Sequence, residues 1–178
     1  MKVEVRNNKI SVEGYVNAVE RESNPIPGAA GKYIEIVKAG TFASALQTAV
    51  PVELRYNHNK VLGDTNDGTL TLKEDNIGLY AKAIITNADI ISIAITGKLK
   101  GWSFGFIDNN FEIKNGKRIL TDITLLEVSI LDITPAYNAT SVITRNANNE
   151  VIEQRSIIMD FGHHKSKEID ILKLKGRM

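Results

Sequence analysis

Residues 99–106 read LKGWSFGF, one small hydroxyl between two large aromatic rings with glycines on either side. Taken as a strand, the segment sends side chains alternately to two faces, so Trp102, Phe104 and Phe106 share one and Ser103, Gly105 and Ile107 the other. The aromatic set suits a core. The face around Ser103 is bare, as expected where another backbone must come close, and Gly101 and Gly105 are the residues that clear it.

Working outward, short alternating segments punctuated by Gly, Asn and Asp dominate. VEVRNNKISVEGYVNAV reads as a hairpin turning at Asn7–Asn8. SNPIPGAAG reads as a surface loop, and YIEIV, VELRYNH, GTLTLKE and GLYAKAII as strands. TFASALQTA predicts a short helix capped by Thr41. NADIISIAITGKLK predicts a second, capped by Asn87 or Thr86, with Ile90, Ile91, Ala94 and Ile95 on one stripe. After WSFGF come a polar turn around IDNNFEIKNGKR and the strand TLLEVSILDI, which proline ends at Thr134–Pro135. About seven strands and two short helices, without βαβ alternation, predict a mostly β fold: an antiparallel β-barrel with short peripheral helices. The barrel domain is expected over 1–145. Residues 146–178 are expected to form a polar C-terminal extension, flexible or weakly helical; from His163 it holds five Lys/Arg against two acids.

The 178 residues are 43% hydrophobic with net charge +1, which suits one compact domain and gives no electrostatic reason for nucleic acid as a main partner. Cysteine is absent, so there is no disulfide, thiolate metal site or cysteine nucleophile, and any covalent chemistry falls to Ser, Thr or Lys. The N-terminal MKVEVRNNKI has no apolar signal region, and no run approaches the ~18–20 apolar residues that span a bilayer. A soluble, intracellular protein is expected.

Three polar residues stand out. In VELRYNH, His58 has the parity of Val52, Leu54 and Tyr56; in TLLEVSILDI, Glu127 has the parity of Leu125, Ser129, Leu131 and Ile133. A carboxylate among apolar residues needs a partner, and a histidine would serve. Each has a structural explanation alone: a strand-end histidine is commonly solvated, Glu127 could pair with Arg55, and Ser103 could simply make room. Together they supply the hydroxyl nucleophile, imidazole base and orienting carboxylate that acyl transfer requires. Spacing does not show that they meet.

The ordered set YNHN (56–59), LGDT (62–65), KEDNIGLYAKAII (73–85), GKLKGWSFGF (97–106) and LLEVSILDITPAYNATSV (125–142) resembles the prohead proteases of tailed phages. These capsid-maturation serine proteases are related in fold to the herpesvirus assemblins. The resemblance runs from about Gly14 to Arg145. It implies His58, from the Asn–His motif, as general base; Ser103, before aromatic–Gly–aromatic, as nucleophile; and Glu127, from the Glu–Val–Ser run, as the group that holds the imidazole. Gly101 and Gly105 then clear the Ser103 face for a substrate backbone. The implied substrates are the scaffold and major capsid proteins, with self-cleavage, inside the prohead in the host cytoplasm. A homo-oligomer is expected, with no cofactor, no metal, no specific nucleic acid and no membrane. Asn59 stands where relatives often carry an acid. Only about thirty residues follow the barrel, where many relatives carry a long scaffolding segment, so scaffolding is expected from another chain.

Other features are explained more simply. Asp132 lies on the opposite strand face from Glu127 and reads as a turn or edge charge. Asp64 and Asp67 lack calcium-loop spacing and suit a turn. His163–His164 lie in the polar tail. Gly101–Gly105 satisfies Gly-x-Ser-x-Gly literally, but an esterase elbow runs from strand to helix, whereas here a helix precedes the serine and a strand carries it. The alternative function is a catalytically inactive barrel that binds capsid or scaffold; an intact Ser103, His58 and Glu127 argues against it.

Overall fold

The structure is a computed structural model and describes residues 1–6, 8–28, 31–132, 141–145 and 151–157. Among these lie twelve strands and two helices. In chain order they are β1 (Lys2–Arg6), β2 (Lys9–Ala18), β3 (Ile26–Gly28), β4 (Gly31–Val37), α1 (Thr41–Ala45), β5 (Glu53–Tyr56), β6 (Lys60–Asp64) and β7 (Leu70–Glu74). They continue with β8 (Gly78–Ile85), α2 (Ala88–Ile95), β9 (Gly101–Lys114), β10 (Lys117–Leu131), β11 (Ser141–Arg145) and β12 (Val151–Ile157). The fold is mostly β, with sheets curled into a half-barrel, as the alternating patterns predict.

One sheet runs β1-β2-β8-β7. Its alternation is plain in β8, where Leu79, Ala81, Ala83 and Ile85 are buried and Lys82 and Ile84 face out. The other runs β11-β12-β9-β10-β4-β3, with β5 and β6 joined to it through β10. β10 organises this sheet. One edge pairs antiparallel with β9; the other is divided between β4 at Lys117–Leu120 and β5 at Glu127–Ile130, both parallel. Phe104 stacks on Phe106 and meets Phe42 edge-on, with centroids 5.3 and 5.4 Å apart. Trp102, Phe104 and Phe106 are all buried, so the aromatic face of LKGWSFGF is core. Burying each such ring contributes roughly 2–3 kcal/mol, which fixes the height and tilt of the strand that carries Ser103.

Several local expectations are corrected. The polar turn expected around 107–118 narrows to Asn115–Gly116 (φ 53° and 72°): β9 continues through the stretch as far as Lys114, and β10 begins at Lys117. Asn-Gly is a strong tight-hairpin signal, and the exposed end of an antiparallel ladder tolerates polar side chains on both faces. β3 occupies part of the expected SNPIPGAAG loop, paired to β4. Helix α1 is capped by Gly40 in the left-handed region, while the Thr41 hydroxyl donates to the Leu120 carbonyl. Helix α2 is capped by Asn87, whose side chain accepts from the Ile90 N–H, and buries Ile90, Ile91 and Ala94. Ile95 points out, 63% exposed.

Beyond Arg145, where the sequence shows no periodic pattern, Val151–Ile157 forms β12 and pairs with β9 from Glu153↔Phe106 to Ile157↔Trp102. The expected stop at Thr134–Pro135 and the tail with His163–His164 lie outside the described residues.

Candidate active site

His58 is not on a strand. β5 ends at Tyr56, and Asn57 and His58 follow at φ 50° and 64°, closed by the Asn59 N–H donating to the Tyr56 carbonyl at 3.1 Å. Two successive central residues in the left-handed region make the tight turn that suits a two-stranded hairpin. Asn takes this conformation readily and His more than most residues do. The parity shared by His58 and Leu54 is therefore incidental; the turn aims the ring.

β10 and Asp132, the residue that follows it, hold that turn at four points. The Asn57 N–H donates to the Ile130 carbonyl at 3.0 Å, and the His58 N–H donates to Ser129 Oγ at 3.2 Å. Asn57 Nδ2 donates to Asp132 Oδ1 at 2.7 Å, and the Asp132 N–H donates back to Asn57 Oδ1 at 3.2 Å. Hydrogen bonds from the Tyr56 hydroxyl and the Asn57 amide hold the Asp132 carboxyl below the usual carboxylate range. Burial, reinforced by the same bond, pushes the Tyr56 hydroxyl up to about 12. Asp132, which reads from sequence as a turn or edge charge, is the clamp of the histidine turn.

The imidazole meets Glu127: His58 Nδ1 lies 2.5 Å from Glu127 Oε1. With the proton on Nδ1, donated to the carboxylate, Nε2 carries the lone pair a general base needs. The Glu127 side chain is only 2% exposed and the His58 ring 18%. The carboxylate is thus sealed in, where its field is little screened by water, while the ring reaches the surface.

Glu127 reaches this position through a β-bulge. Leu125 pairs with Phe106, yet Glu127 pairs with Gly105, so β10 uses two residues where β9 uses one. The extra residue turns Glu127 and Ser129 away from the face of Leu125 and onto the face of Ser103 and Gly105. Parity with Leu125 does not place Glu127 among the apolar residues; the bulge separates them. Beyond it, Val128 and Ile130 pair with Phe104 and Trp102 on the apolar side.

Ser103 lies directly across the ladder from Ser129, one step of the same face from Gly105 and Glu127. It is fully buried. Ser103, Glu127 and Ser129 thus share a face, and Glu127 touches His58. Among the hydrogen bonds of the described residues none joins the His58 ring to Ser103; such contacts in unliganded enzymes often tighten only with substrate. Gly105 has a specific tenant. A Cβ there would lie 2.7 Å from Glu127 Oε1 and 2.9 Å from its Cγ, so the room expected for a substrate is taken by the carboxylate. Gly101 pairs with Leu131 at the start of the strand.

Ser129, Asn57 and Asp132 were not legible as site residues. Two had a signal: Asn57 in the Asn–His motif, and Ser129 in the Glu–Val–Ser run, whose parity with Glu127 survives because no bulge falls between them. Among the described residues no group of three or more His, Asp or Glu is arranged to hold a metal ion, and no helix is long and apolar enough to cross a membrane.

A family model described as caudovirus prohead serine protease matches residues 1–167. The match takes in β11 and β12 and extends past Arg145. No curated protein and no solved structure matches the chain.

Proposed function

The chain belongs to the caudovirus prohead serine protease family, and from that premise we propose that Ser103 is the nucleophile, His58 the general base and Glu127 the orienting carboxylate of this serine peptidase. The observation that carries the assignment is the 2.5 Å contact between His58 Nδ1 and Glu127 Oε1, made on the face that Ser103 occupies. In the proposed reaction His58 Nε2 takes the Ser103 hydroxyl proton as Oγ bonds to the peptide carbonyl carbon. The same proton passes to the departing amine when the C–N bond breaks, leaving an acyl-serine. Water, deprotonated by His58, then releases the acid and restores the hydroxyl. Glu127 stabilises the imidazolium at both stages without itself becoming protonated.

The proposed substrates are the scaffold and major capsid proteins of the phage, cleaved inside the prohead, together with the enzyme's own C-terminal extension. Ser103 has no exposed surface, so substrate binding is proposed to require an opening of the Ser103 face, which association of several copies is proposed to favour. The catalytic unit, expected from sequence to end at Arg145, is proposed to include β12, which pairs with the serine strand; the extension then starts after Ile157. Co-expression with the phage's own capsid and scaffold proteins tests this: processing occurs with the wild type and is lost in Ser103→Ala and His58→Ala. Normal processing by either variant overturns it.

A further inference from the structure

Resting on the roles of Ser103, His58 and Glu127 above, we propose that Ser129 is a positioning residue that locks the carboxylate and the histidine turn into one unit. Its hydroxyl has a single proton, and that proton goes to Glu127 Oε2 at 2.6 Å. Its lone pair accepts the His58 backbone N–H at 3.2 Å. The two oxygens of Glu127 are therefore divided, Oε1 to the imidazole and Oε2 to Ser129. One side chain thus touches both partners of the His58–Glu127 contact and sets their separation.

Two further features favour this role over simple space filling. Ser129 is fully buried, where a hydroxyl is retained only if its hydrogen bonds are made. The groups it satisfies are themselves constrained: the His58 N–H belongs to a residue at φ 64°, and Glu127 is 2% exposed. Without the hydroxyl, a part-buried N–H and a buried carboxylate oxygen each lose a partner. The turn then relaxes and the carboxylate loses one of the contacts that set its orientation. Ser129 does not contact the scissile bond in this scheme. It acts through Glu127 and the backbone of His58.

The test is the rate of phosphorylation by diisopropyl fluorophosphate, followed by intact mass on the full chain at fixed, high protein concentration. In that reaction Ser Oγ bonds to phosphorus and fluoride leaves, so no peptide specificity is needed. Ser129→Ala is expected to lower the limiting rate about 10- to 100-fold, the usual effect of misplacing a catalytic group by a fraction of an ångström, with the half-saturating reagent concentration changed less than about twofold. The isosteric pair Ser129→Thr and Ser129→Val separates hydroxyl from bulk: Thr recovers most of the rate and Val does not. In a Glu127→Gln background the Ser129→Ala penalty is expected to shrink to less than about threefold, because residues that act through each other are not additive.

Equal rates for Thr and Val, or an undiminished Ser129→Ala penalty in Glu127→Gln, would overturn the positioning role in favour of packing. A wild-type rate in Ser129→Ala would overturn it outright. Labelling of Ser103→Ala at the wild-type rate, or an unimpaired Glu127→Gln, would instead overturn the underlying assignment.

Discussion

Gly105→Ala probes the geometry with a single methyl group. The backbone at Gly105 is ordinary strand, paired to Glu127, so alanine brings no conformational penalty of its own. Its Cβ would stand 2.7 Å from Glu127 Oε1 and 3.2 Å from Cδ. Ordinary contact needs about 3.4 Å or more, so the carboxylate must retreat by about 0.7 Å, a shift large enough to lose much of a hydrogen-bond well. A retreat along the line to His58 would shorten a contact already at 2.5 Å, which repulsion forbids; the carboxylate must therefore swing aside and misalign with Nδ1. Misplacement on this scale costs roughly 10- to 100-fold in rate, and overpacking costs about 1–3 kcal/mol of stability. For a chain of this size that lowers the midpoint by about 2–4 °C per kcal/mol. The assays are fluorophosphate labelling rate and thermal unfolding by circular dichroism. In Glu127→Ala the space is vacated, so adding Gly105→Ala should no longer destabilise. A wild-type labelling rate in Gly105→Ala, or the same loss of stability with and without Glu127, would refute the claim that glycine is there to admit the carboxylate.

Five more outcomes are expected. Asn57→Gly keeps the left-handed backbone but removes both side-chain bonds to Asp132, so it should destabilise by about 1 kcal/mol, and Asn57→Ala by more, because alanine resists φ 50°; equal losses would mean that the conformation is unimportant. Tyr56, with its hydroxyl pushed up to about 12, contributes stability that is full below its unfolded value near 10 and lost by about 12, so one of the five tyrosines should ionise late in an absorbance titration and return toward normal in Asp132→Asn. Asp132, held low, acts at the other end: its contribution is full above an unfolded value near 3.9 and disappears as pH falls through the lower folded value, a loss that acid unfolding of Asp132→Asn should not show. Specific activity should rise with protein concentration, and intact mass should show self-cleavage that spares the β12 backbone paired with β9; a flat dilution series, or a cut inside Val151–Ile157, would count against those two readings.

What the sequence shows well is the face of a regular strand. The alternation in LKGWSFGF separates Ser103 from Trp102, Phe104 and Phe106, and burial of those rings bears this out. It shows poorly whatever breaks the period. Parity misplaces Glu127 because one bulged residue after Leu125 reverses the face, and a bulge leaves no compositional mark. It misassigns the setting of His58 because the strand ends two residues earlier in a turn whose cue, Asn57, also fits a strand terminus. A turn within 107–118 was legible, but its confinement to Asn115–Gly116 was not, because the polar residues of the flanking strands look like part of it. Ser129 and Asp132 gain their roles from partners 71 and 75 positions away, distances over which no local pattern carries information.

The central claim is that Ser103 is the activated hydroxyl of a Ser103–His58–Glu127 set. Peptide mapping of concentrated protein after fluorophosphate treatment tests it most directly, since the label forms only where a hydroxyl has a working base. A single adduct on Ser103, absent from His58→Ala and strongly slowed in Glu127→Gln, is the predicted result. An adduct on Ser129 or any other hydroxyl, or one on Ser103 that forms equally fast without His58, would contradict it.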